Sequence, residues 1–118
     1  FSAAQMGNIE IIKLLIEKGA NVNIKNNNDV TPLYVATVNS EIEAMKILME
    51  KGAKINIQNK NGASPVFIAA QLGHIESLLL LIKNGADVNI KKYMGATPLY
   101  VASEKGNIEA MKILIENG

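Results

Sequence analysis

The 118-residue sequence has no cysteine, no tryptophan and no arginine, and it has a single histidine. Without Cys there can be no disulfide scaffold, zinc–thiolate centre or thiol nucleophile. All twelve basic residues are Lys, so the planar guanidinium fork suited to phosphate and carboxylate is missing. The formal net charge is only +1; with so weak a field, no nucleic-acid partner is expected. Aromatic residues make up 4% of the chain, so the core must be aliphatic. The longest apolar run, Leu78 to Ile82, is far too short for a bilayer, and no membrane insertion is expected. The missing Cys and the absence of any Asn-x-Ser/Thr sequon point to an intracellular, cytoplasmic protein. The chain begins at Phe1 and not at Met, which leaves room for an upstream segment.

What the chain does have is repetition. "TPLYVA" occurs at 31–36 and again at 97–102, with "SPVFIA" at 64–69 between them, so Thr31, Ser64 and Thr97 lie 33 residues apart. Residues 31–52 and 97–118 are identical at 15 of 22 positions. Stepping back by the same period makes 1–30 a first unit that has lost its opening. Units at 31–63 and 64–96 follow, and 97–118 is a partial fourth. Fixed-period self-similarity marks a stack in which each unit buries its apolar faces only against its neighbours.

Each unit reads as two helices and an extended loop. Thr31, Ser64 and Thr97 are hydroxyl N-caps, followed by Pro32, Pro65 and Pro98 at the first helical position. Small residues, Ala36, Ala69, Ala70 and Ala102, line this short helix and permit close approach of a neighbour. Gly7, Gly73 and Gly106 break it, with Ser40 in the same slot of the second unit. Asn8, Glu41, His74 or Asn107 opens the second helix, which ends at Gly19, Gly52, Gly85 or Gly118. Polar–apolar alternation and turn chemistry then mark the extended loop, with Asp29, Gly62 and Gly95 at positive φ. Phe1, Ala3 and Ile9 at one end, and Ile108 and Ile113 at the other, are core-type residues expected to face further units.

The 33-residue period, "TPLYVA" and "GADVN" resemble the ankyrin repeat family over the whole chain. The resemblance implies an all-α repeat solenoid with β-hairpin loops, an ankyrin-like stack of helix-turn-helix units. It implies a concave face formed by the hairpin tips and the first helices. The family's His after "TPL" is replaced here by Tyr34, Phe67 and Tyr100. In the family, Asn at the slot of Asn23, Asn56 and Asn89 can be hydroxylated; the residues themselves read as bridges to turn backbone.

Catalytic chemistry finds no support. His74 takes a slot that holds Asn in sister units, so a structural role is expected. Glu41 and Glu43 are two residues apart on a helix and do not face each other; both read as solvated helix-start charges. There is no phosphate loop, dinucleotide fingerprint or metal-binding His pair. The "NNND" at 26–29 lacks the carboxylate set of a calcium loop. No cofactor, no metal and no enzymatic activity are expected.

Removing every repeating slot leaves a variable set, which the resemblance places on the concave face and the hairpin tips. Its candidate partner-binding residues are Met6, Val38, Gln71, Leu72, Tyr93, Met94, Lys60, Lys91, Glu104 and Lys105. Apolar members gathered on one face would form a protein-binding patch. The expected function is a non-enzymatic module binding a partner protein through that face. The alternatives are a spacer or internal stretch of a longer repeat array, and the adaptor of an attached catalytic domain.

Overall fold

The computed structural model describes residues 10, 12–19 and 21–118. Residues 12–17 are helical, and six further helices follow in pairs. These are α1 (Pro32–Val38) with α2 (Ile42–Glu50), α3 (Pro65–Leu72) with α4 (Ile75–Lys83), and α5 (Pro98–Glu104) with α6 (Ile108–Asn117). Among the described residues none is in a strand, and no helix is long and apolar enough to cross a membrane. The first helices form one row, with α1 against α3 and α3 against α5; the second helices form another, with α4 between α2 and α6.

The predicted caps form. Thr31 Oγ1 accepts from Tyr34 N at 3.3 Å, Ser64 Oγ from Phe67 N at 3.2 Å, and Thr97 Oγ1 from Tyr100 N at 3.0 Å. Each satisfies a backbone donor at a helix start. The turns between paired helices run through positive φ at Ser40, Gly73 and Gly106. Ser at that angle is strained where Gly is not. Between the rows lie Leu33, Met45, Leu48, Val66, Phe67, Leu78 and Leu81, all buried. The small residues Ala36, Ala69, Ala70 and Ala102 are buried with them.

Two expectations are corrected here. Ile113 does not face outward: it is only 6% exposed and lies in the core, while Ile108 is exposed. Glu41 is not a solvated charge, for it is 2% exposed and its Oε2 has no hydrogen-bond partner. The cause is its slot. In the sister units this side chain reaches back to the carbonyls that end the preceding first helix. Asn107 Nδ2 donates to Ala70 O at 2.9 Å and to Gln71 O at 3.0 Å. His74 Nδ1 lies 3.2 Å from Thr37 O; a carbonyl only accepts, so Nδ1 carries the proton there. His74 is thus a structural link, as expected, while Glu43 is exposed. Phe1, Ala3, Gly7, Asn8 and Ile9 lie outside the described residues.

Two stability outcomes follow. Because Glu41 Oε2 is buried without a partner, Glu41→Asn, which restores the side chain of Asn107, should raise the unfolding free energy by about 1 kcal/mol. Urea titration reads this directly, and a loss would show that the carboxyl group is needed where it lies. Leu78 and Leu79 are neighbours with opposite fates, fully buried and 49% exposed. Leu78→Ala should cost about 2–5 kcal/mol, while Leu79→Lys, which installs the residue of the sister slots, should change stability by less than about 0.5 kcal/mol.

Candidate functional site

The loops between units are hairpins closed by one repeated set of bonds. Asn26 N donates to Val30 O at 3.1 Å, Asn59 N to Ala63 O at 2.9 Å and Lys92 N to Ala96 O at 2.8 Å. Asp29 N, Gly62 N and Gly95 N return to the carbonyls of Asn26, Asn59 and Lys92. Asp29, Gly62 and Gly95 all have positive φ, as expected; a three-residue loop that ends in a left-handed residue is a common hairpin closure.

Neighbouring loops are joined side by side. Lys60 N donates to Asn28 O at 3.0 Å, and one unit later Tyr93 N donates to Asn61 O at 3.2 Å. Gln58 Nε2 donates to Gly62 O and to Lys91 O, both at 2.8 Å. The recurring asparagines also bridge units: Asn23 Oδ1 accepts from Lys54 N at 2.7 Å and Asn56 Oδ1 from Asp87 N at 3.0 Å.

The third tip departs from the first two. Asn26 and Asn59 staple their own turns, each side-chain oxygen accepting two backbone N–H groups. The third loop has Lys92 in that slot, and Lys92 Nζ lies instead 5.6 Å from the centre of the Phe67 ring, a cation–π distance. Without the staple, Met94 takes φ +77°. Positive φ at this turn position is a type II feature that calls for Gly or Asn. Met94 is fully exposed, Tyr93 is 58% exposed, and the Tyr93 ring lies against Gly62, where any Cβ would collide with it.

The remaining candidates divide. Lys60, Lys91, Glu104, Lys105 and Leu72 are exposed, while Val38 and Gln71 are half-buried. Met6 lies outside the described residues. Lys60 and Tyr93 hold equivalent points on adjacent tips, and Lys91 lies in the same loop as Tyr93 and Met94. Leu72 is the last residue of α3 and is exposed; Phe67, earlier in the same helix, has Lys92 of the third loop over its ring.

Val35 and Tyr100 are also exposed on the first helices, Tyr100 on the last unit beside the exposed Leu99. Both sit in slots that repeat; only a difference in burial between sister slots reveals them. Tyr34, in the same slot as Tyr100, is half-buried. Burial pushes its phenol above the ordinary tyrosine range, and a hydrogen bond from Asn59 works in the opposite direction. Among the described residues, no group of three or more His, Asp or Glu side chains converges to hold a metal.

A family model described as Ankyrin repeats (3 copies) matches residues 1–59 and 53–118. No curated protein matches the chain.

The geometry of the third tip is itself testable. A bulky side chain held at positive φ costs on the order of 1 kcal/mol or more. Met94→Gly should therefore raise the thermal midpoint, and Met94→Ile, a β-branched residue for which that angle is worse, should lower it. Equal midpoints for all three proteins would mean that Met94 carries no strain.

Proposed function

The chain belongs to the ankyrin repeat family, and on that premise we propose that it is a non-enzymatic module that binds a partner protein through its concave face and hairpin tips. Ankyrin repeats are generally protein–protein interaction modules. The observation that carries the reading for this chain is the third tip. Tyr93 and Met94 are large, exposed and apolar, where the sister tips carry Asn27–Asn28 and Lys60–Asn61. A tip needs no apolar pair to fold, as those two show. Strained backbone at an exposed position gathers at functional sites, and aromatic residues and Met are enriched at interface cores. Lys60 and Lys91 flank this pair, and Leu72, Val38, Gln71, Glu104 and Lys105, on the first helices and at their ends, complete the proposed contact. The units run 1–30, 31–63, 64–96 and 97–118, and the site of action is cytoplasmic.

A second reading has its own observation. Leu99, Tyr100, Ile108 and Ile115 are exposed on the last unit, while Leu33 and Val66, the sister residues of Leu99, are buried. This is the surface on which a further unit would stack, and it supports membership of a longer repeat chain acting as a spacer.

The double replacement Tyr93→Ser with Met94→Ser separates the two. Proteins retained from a cell lysate by the immobilised variant should fall at least about tenfold, equivalent to 1.4 kcal/mol, with the helical circular dichroism unchanged. Unchanged retention by the folded variant would remove the tip from the interface, and no retention by the parent chain itself would favour the spacer.

A further inference from the structure

We propose that the partner presents an acidic, extended polypeptide segment, which crosses the hairpin tips and seats an apolar side chain on Tyr93 and Met94. The proposal rests on the interaction-module reading and names the chemistry of its partner. Charge is divided unevenly across the fold. The tips carry Lys25, Lys60, Lys91 and Lys92 against the single Asp29. The second helices α2, α4 and α6, in the other row, together carry five glutamates and three lysines. A net charge near zero therefore conceals a basic edge. Such an edge steers an acidic segment to the tips.

The tips also form a continuous track. The bonds from Lys60 N to Asn28 O and from Tyr93 N to Asn61 O join them in series. Gln58 pins the backbone carbonyl of Lys91 to the preceding loop. These bonds consume backbone groups between the tips, so recognition falls to side chains. The track is graded, from asparagines at the first tip to Tyr93 and Met94 at the third. A bound segment therefore needs carboxylates along its length and an apolar residue at one end, and it must be extended to reach several tips. Lys92, turned onto the Phe67 ring, contributes less than Lys60 and Lys91. A nucleic acid fits less well: the chain has no Arg, whose guanidinium dominates phosphate recognition, and a phosphate backbone has nothing to seat on Met94.

Random peptides of about 16 residues, displayed on phage, would be selected on the immobilised chain and the enriched ones synthesised. The expected peptides are rich in Asp and Glu with one or two large apolar residues. Their Kd should rise at least about tenfold between low and high salt, as screened charge pairs require, and again by about tenfold in the Lys60→Glu, Lys91→Glu variant. Neutral or basic enriched peptides that lose affinity on Tyr93→Ser with Met94→Ser would leave the interaction reading standing and overturn the acidic partner. Acidic peptides indifferent to the lysine variant would overturn the tips as their site. If no peptide is enriched although lysate proteins are retained through Tyr93 and Met94, the extended segment is wrong. Equal binding of a single-stranded RNA oligomer, lost in the same lysine variant, would reassign the partner class.

Discussion

The close contact between neighbouring first helices governs this molecule. Ala36, Ala69, Ala70 and Ala102 are almost completely buried where α1, α3 and α5 meet. Side chains of this size allow backbones to approach closely, and the approach sets the spacing of the units. Everything else is carried at that spacing. The bond from Lys54 N to Asn23 recurs as the bond from Asp87 N to Asn56. The bond from Lys60 N to Asn28 recurs as that from Tyr93 N to Asn61. A period in the sequence becomes a period of contacts because each unit completes its core and its polar pairing only on its neighbour.

Within that frame one substitution propagates. Tyr34 keeps a phenol, and Asn59 of the next loop both bonds to it and staples its own turn. Phe67 has no hydroxyl, and the equivalent residue of the next loop is Lys92, which covers the ring with its ammonium group. The change suits Phe67 but leaves the third turn without its side-chain acceptor. Met94 then occupies a backbone angle that neither sister residue adopts. Three residues of one unit, Phe67, Lys92 and Met94, thus account for the one tip that differs in shape and in polarity.

Much of the fold was legible because its signals are local. A hydroxyl before proline marks a helix start, and a glycine or aspartate at a fixed offset marks a positive φ, whatever lies nearby. Glu41 suggests solvent by its type, yet it shares a slot with His74 and Asn107, whose side chains reach into the unit before their own; that shared slot is the available signal. Ile113 was misplaced because its helix is apolar on several sides, and composition alone does not say which side meets which neighbour.

The repeat also provides an internal control for interpreting exposed apolar side chains. Leu99 is exposed, but Leu33 and Val66 in the same slot are buried; its exposure is that of a stacking surface with no unit laid over it. Tyr93 and Met94 differ. Their sister residues Asn27, Asn28, Lys60 and Asn61 are exposed, although the second tip has a neighbour bonded on either side. Stacking leaves these slots in water wherever it is observed, so a further unit would not be expected to cover Tyr93 and Met94. Apolar side chains that the architecture itself leaves uncovered, one of them on strained backbone, find their explanation in contact with something other than a repeat. That distinction separates the surface that would extend the array from the surface that would bind a partner.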